Sequence, residues 1–282
     1  MLERNNIIGQ KDLLDRIDNL IRNDDFPKFI ILVGISGSGK KLISNYISDQ
    51  LECTFVPSSI KIEDVREIIS MSYTVLDRTC YMFADCDTMS ISAKNALLKI
   101  TEEPPTNSYF IMTLNNKEIM LNTILSRATI FDILPYSRND LELYANHKKY
   151  EVSQKELIFG MCANPGELDK LMKMKDGVSS FISFTENVLD FIGQASIPNC
   201  LKLSAKFALK KDEDGYDVKQ FLESVISICN LRYKQSFDLK YSNLCVETCK
   251  IVSELKLVSV NKLAVLDKWL LSAHSILGAE NL

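Results

Sequence analysis

The feature that most constrains this chain is a glycine cluster in a glycine-poor sequence. Only ten glycines occur in 282 residues, yet Gly34, Gly37 and Gly39 fall within Gly34-Ile35-Ser36-Gly37-Ser38-Gly39-Lys40-Lys41. FIILV (29–33) precedes the cluster, an apolar run with the length of a buried strand. KLISNYISDQL (41–51) follows with helical spacing. A GxxxxGK run between a strand and a helix is the setting of a phosphate-binding loop. Glycines let backbone N–H groups turn inward without Cβ clashes, and the helix N-terminus adds partial positive charge. Lys40 is then placed to reach the β and γ phosphates. Gly34, Gly37, Ser38, Gly39, Lys40 and Lys41 are the candidate nucleotide-binding residues. A tight turn that binds nothing is the plain alternative, and the strand-loop-helix context disfavours it.

The pattern around the loop continues as an α/β domain. Residues 10–23 read as an amphipathic helix, CTFV (53–56) as a second strand and IEDVREIISMS (62–72) as a helix. CYMFA (80–84) is a third strand, and SAKNALLKITEE (92–103) is a helix stopped by Pro104-Pro105. YFIMTL (109–114), a short helix near 117–125 and ATIFDIL (128–134) complete the set. Alternating strands and helices imply a parallel sheet with helices on both faces. Strands cease after Pro135. Short helical patterns run to about residue 177, with NPGELDKLMKM (164–174) as a turn entering a helix, and longer ones dominate from 178. Three domains are expected: 1–135, 136–177 and 178–282. The charged run KDEDG (211–215) reads as a solvated loop.

Composition narrows the class further. Thirty-three basic against 37 acidic residues give a net charge of −4, so this is no basic coat for nucleic acid. Eight scattered cysteines without a CxxC pair, and only two histidines, argue against a zinc site and for reduced, buried thiols. The pair Cys245 and Cys249, one helical turn apart, is expected in a core. No signal peptide and no apolar run of membrane-spanning length are apparent, so a cytoplasmic protein is expected.

Two departures bear on catalysis. The residue after the loop lysine is normally Ser or Thr, whose hydroxyl ligates Mg²⁺. Here it is Lys41, which has no acceptor. The third strand ends in Ala84-Asp85-Cys86-Asp87, where an acid should face the metal. Asp85 is one candidate for that acid; Asp85 and Asp87 as turn or helix caps are the other reading.

Asn95-Ala96-Leu97-Leu98-Lys99 followed by Glu102-Glu103-Pro104-Pro105 resembles the NALLK…EEPP signature of AAA+ clamp-loader subunits. Ser126-Arg127 resembles that family's Ser-Arg-Cys motif, with Ala128 in the Cys place, and IIGQ (7–10) and IEDVREII (62–69) are similar to family segments. The motifs cover about residues 5–175. The resemblance implies a P-loop AAA+ domain, a helical lid and an all-α collar. It places the two acids of the second motif on Ala84 and Asp85, a polar sensor on Asn115 and an arginine finger acting in trans on Arg127. The lid arginine is missing; Asp169 lies near its place. With the metal side and the lid depleted but Arg127 intact, the pattern is similar to the delta-prime stator of bacterial or phage DNA polymerase III clamp loaders, with gamma/tau as a close relative.

The resemblance implies ATP or ADP held without efficient hydrolysis, with Mg²⁺ in doubt. It also implies a hetero-oligomeric ring of clamp-loader subunits, a sliding clamp and primer-template DNA as partners. A gamma-like motor with its own ATPase, using Asp85, and a structural subunit that binds no nucleotide are the competing readings.

Overall fold

The computed structural model describes residues 4–174, 177–208, 217–255 and 261–278. The run 211–215 lies outside them. The chain forms two compact units: Met1–Tyr144 with Asn164–Glu167, and Ala145–Ala163 with Leu168–Leu282. The expected seams at 135 and 177 do not coincide with this division, and residues of 136–177 fall in both units.

The first unit contains a five-stranded parallel sheet. Its strands are β1 (Phe29–Val33), β2 (Thr54–Ser58), β3 (Thr79–Phe83), β4 (Ser108–Leu114) and β5 (Thr129–Asp132), in the order β2-β3-β4-β1-β5. Its helices are α1 (Lys11–Arg22), α2 (Lys40–Gln50), α3 (Ile62–Ser72), α4 (Ile91–Glu102) and α5 (Asn122–Leu125).

Side chains alternate between the sheet faces, so the continuous apolar runs divide into two cores. Ile30, Leu32, Met82 and Ile111 join Leu14, Ile17, Ile43 and Ile47 from α1 and α2. Phe29, Ile31, Phe83, Phe110 and Met112 join Val65, Ala93, Leu97 and Ile100 from α3 and α4. Being buried on both faces explains why these strands show no polar alternation. Most strands lie within a residue or two of their expected positions; β5 is shorter than expected, although Ile133 N–H still donates to Val33 O at 2.7 Å.

The remaining helices are α6 (Arg138–His147), α7 (Lys155–Gly160), α8 (Pro165–Met172), α9 (Val178–Ile192), α10 (Ile197–Leu201), α11 (Ser204–Ala208), α12 (Val218–Ser236), α13 (Leu239–Glu254) and α14 (Lys262–Leu277). In the second unit Phe221 and Trp269 meet edge-on at 5.5 Å, and Trp269 Nε1 donates to Thr248 Oγ1 at 2.9 Å. The Ser227 hydroxyl donates to Leu157 O at 2.9 Å, fixing α12 against α7. There a Cβ on Gly160 would stand 2.5 Å from Ser227 Oγ, so a larger residue would make that hydroxyl turn away from Leu157 O.

The core reading of the cysteine pair needs correction. Cys245 is half-buried and Cys249 is exposed, because the apolar stripe of α13 passes through Leu244, Thr248 and Ile251 instead. Five other cysteines are buried. No helix among the described residues is long and apolar enough to cross a membrane.

Candidate functional site

The glycine loop leaves β1 at Gly34 and enters α2 at Lys40, as the strand-loop-helix pattern requires. Gly37 has φ +86° and Gly39 has φ +90°, a conformation that favours glycine. Lys40 is buried, and its Nζ donates to Gly34 O at 2.5 Å, Ile35 O at 3.2 Å and Asn115 Oδ1 at 2.9 Å. Burial pulls its pKa down, and the carboxylates of Asp85 and Asp87 oppose that fall. The ammonium's three donors therefore each have an acceptor.

Asn115, the expected sensor, follows β4 and is held from behind. Its backbone N–H donates to Asp87 Oδ2 at 2.9 Å, its side-chain Nδ2 donates to the same oxygen at 2.9 Å, and Asn116 N–H reaches Asp87 Oδ1 at 3.0 Å. These donors fix the amide, with Nδ2 on Asp87 and Oδ1 on Lys40. Asp87 was expected only as a cap. Its real partners lie 28 and 29 residues away in sequence, a pairing that no local pattern displays.

Two further elements reach the loop. Tyr136 donates its hydroxyl to Ser38 O at 3.0 Å, and burial pushes its phenol up to about 12. The Asn164-Pro165-Gly166 turn packs on Gly37: Gly166 N–H donates to Gly37 O at 3.1 Å. A Cβ on Gly37 would lie 2.6 Å from Asn164 Oδ1, and one on Gly166 would lie 2.5 Å from Gly37 Cα. The segment IIGQ is also anchored here. The Gln10 amide pairs with the Leu134 backbone, donating to its O at 2.7 Å and accepting from its N–H at 3.2 Å.

The donor set fits phosphate better than metal. The loop retains its glycine geometry, its lysine and the helix start at Lys40. Ser38 Oγ is buried with no hydrogen-bond partner, so one hydroxyl donor remains available beside Gly34. On the metal side, Lys41 is exposed and carries no oxygen, and Ala84 offers only a methyl group. Asp85 is exposed, with φ 51°, and makes no side-chain cap; its backbone N–H donates to Thr113 Oγ1 at 3.0 Å. No group of three or more His, Cys, Asp or Glu that could hold a metal occurs among the described residues. Two positions where a metal-side oxygen was expected, Lys41 and Ala84, therefore carry none.

Arg127 lies outside this cluster, just beyond α5. Its Nη1 donates to Thr123 O at 2.9 Å, and its Nη2 meets Glu102 Oε1 at 3.1 Å, at the end of α4. The Arg127 side chain is 40% exposed. Asp169, near the place of the missing lid arginine, accepts from the Tyr150 hydroxyl at 2.9 Å within the second unit.

A family model described as DNA polymerase III, delta subunit, matches residues 56–137. The chain is 21% identical to DNA polymerase III subunit gamma of Buchnera aphidicola subsp. Baizongia pistaciae, covering 91% of this chain and 76% of that protein. It is 20% identical to the replication factor C small subunit of Saccharolobus solfataricus, covering 98% and 93%. Among solved structures, a gamma subunit-related protein of Thermotoga maritima superposes with TM-score 0.50 at 15% identity, covering 93% of this chain and all of that one. A RuvB mutant from the same organism gives TM-score 0.51 at 13% identity, covering 81% and 82%. At such identities the superpositions speak to the fold alone, a parallel α/β sheet domain followed by helices. The family model and the sequence relatives, with the ordered motifs, make this chain similar to AAA+ clamp-loader subunits.

Proposed function

We propose that this chain is a clamp-loader subunit of a DNA replication machinery, acting as a stator. It holds a nucleotide weakly or idly and lends Arg127 to the nucleotide of a neighbouring subunit. The observation that carries this reading is the asymmetry of the two sites. The chain's own loop lacks side-chain oxygens at Lys41 and Ala84, whereas Arg127, just beyond α5, has a partly exposed side chain. Phosphoryl transfer depends on metal and charge positioning, and an arginine supplied in trans is worth about 10³–10⁵ in rate.

In this reading ATP or ADP sits against Gly34, Gly37, Ser38, Gly39 and Lys40 without efficient turnover. The bound phosphates would supply negative charge there, and Lys40 and Asn115 would orient toward them. Residues 136–177 serve as a lid, and 178–282 as a collar that buries helical faces between subunits. The partners are other subunits of a hetero-oligomeric ring, a sliding clamp and primer-template DNA, in the cytoplasm.

The test is ATP turnover by the purified chain with and without Lys40→Ala. Turnover near background in both is expected. Clear Lys40-dependent turnover would establish a gamma-like motor instead.

A reading in which no nucleotide binds draws support from Lys40, whose three donors are already engaged by Gly34 O, Ile35 O and Asn115 Oδ1. Saturable binding of a fluorescent ATP analogue at micromolar concentration excludes it.

A further inference from the structure

We infer that Glu102 is a positioning residue for Arg127, holding its guanidinium in a preset direction before a neighbouring nucleotide arrives. This inference rests on the reading of Arg127 as a finger acting in trans.

Arg127 belongs to a very short element. α5 spans only Asn122–Leu125, and the chain leaves it through Ser126 and Arg127. An arginine on so short a support would sample many rotamers if nothing held its tip, and ordering it during the reaction would cost entropy. Two contacts restrict that freedom. Nη1 is fixed on Thr123 O, within the same turn, and Nη2 on Glu102 Oε1, from a different helix. Glu102 ends the twelve-residue α4, whose Ala93, Leu97 and Ile100 are anchored in the core. The carboxylate thus transfers the rigidity of a long, packed helix to a side chain on a weak one. Phosphate recognition in trans needs such preorganised donors.

The geometry leaves the guanidinium usable while it is held. Arginine carries five N–H donors in a planar fork; one is given to Thr123 O, and Nη2 meets Glu102 as an ion pair. The Glu102 side chain is 53% exposed and that of Arg127 40%, so the pair sits where a second chain can approach. Release from Glu102 is not required for a phosphate to be met by the remaining donors. A carboxylate beside the cation also keeps the site near neutral until a more highly charged phosphate arrives. Local sequence explains the pairing only in part. Glu102 precedes Glu103-Pro104-Pro105, where the prolines end α4 and thereby fix the direction of its last turn.

The test uses the complex purified through this chain, assayed for steady-state ATP turnover in the presence of primed DNA. Glu102→Gln keeps the shape and removes the charge; Glu102→Asp keeps the charge on a shorter arm. Preorganisation acts on the transition state, so Glu102→Gln is expected to lower kcat about three- to tenfold with KM nearly unchanged. Glu102→Asp is expected to recover part of the loss. A structural defect would instead lower the thermal midpoint or the yield of assembled complex, which are measured on the same samples. Unchanged or faster turnover in Glu102→Gln, with Arg127→Ala still impaired, overturns the role of Glu102 alone. Full turnover in Arg127→Ala overturns the finger reading itself and this inference with it.

Discussion

The contact between Gly37 and Gly166 gives a prediction whose sign separates two causes. Gly166 is the second residue of α8 and has a φ compatible with any side chain. Judged on helix propensity alone, Gly166→Ala would stabilise the chain by up to about 1 kcal/mol. The new Cβ, however, would stand 2.5 Å from Gly37 Cα, 3.0 Å from its O and 3.2 Å from its C. These are backbone atoms of a folded loop and cannot turn aside as a side chain would. Overpacking of this kind costs about 1–3 kcal/mol. Moving the turn away also breaks the Gly166 N–H to Gly37 O bond, about 1 kcal/mol more. The net expectation is a loss of about 1–3 kcal/mol, opposite in sign to the propensity effect. Gly37→Ala should cost more, since its φ of +86° adds about 1–2 kcal/mol for a non-glycine residue. The double variant should lose less than the sum, because one separation relieves both clashes. Hydrogen exchange of peptides covering β1, the loop and α2 reads the effect where it occurs. Trp269, the only tryptophan, lies in the helical unit, so its fluorescence serves as a control. A neutral or stabilising Gly166→Ala would refute the proposed close approach.

Other perturbations address the remaining contacts. Asp87→Ala removes the acceptor of Asn115 and Asn116 and should cost about 2 kcal/mol, with faster amide exchange at both residues; Asp87→Asn should lose less. Lys41→Thr combined with Ala84→Asp restores oxygen donors on the metal side. Nucleotide affinity should be insensitive to Mg²⁺ in the parent and become Mg²⁺-dependent by about tenfold in this variant, as titration with and without chelator would read. Tyr46 is buried and donates to Asp18 Oδ1 at 2.6 Å; burial first, then that bond, raise its phenol from 10.0 to about 12. A raised folded-state value means its contribution is whole below pH 10 and lost as pH rises through about 12. The stability difference between parent and Tyr46→Phe should therefore be flat to about pH 10 and shrink by about 2–3 kcal/mol above it. A difference that stays constant to pH 12 would remove Tyr46 as the cause.

The sheet and the phosphate loop were legible because their signals are local. FIILV is apolar at every position since β1 is buried on both faces, and the loop glycines mark φ values that few other residues accept. Pro104 and Pro105 ended α4 where expected. What the sequence hid was pairing across distance. Asp87 with Asn115, Tyr136 with Ser38, Gly166 with Gly37 and Glu102 with Arg127 join segments that no spacing rule connects. Asp85 shows the limit from the other side. An acid after a strand suggests a metal ligand or a cap, but its backbone takes a left-handed turn, and the side chain makes no cap. Cys249 misled for a related reason: a stripe of spacing four on α13 exists, but one residue earlier, through Leu244, Thr248 and Ile251.

The central claim is that this chain's own loop is dispensable for hydrolysis while its arginine is not. The most direct measurement compares ATP turnover by two complexes, one carrying Lys40→Ala and the other Arg127→Ala in this chain only. Turnover should remain near the parent level in the first and fall by about a hundredfold or more in the second. A Lys40→Ala complex as impaired as the Arg127→Ala complex, or an Arg127→Ala complex at full rate, would contradict it.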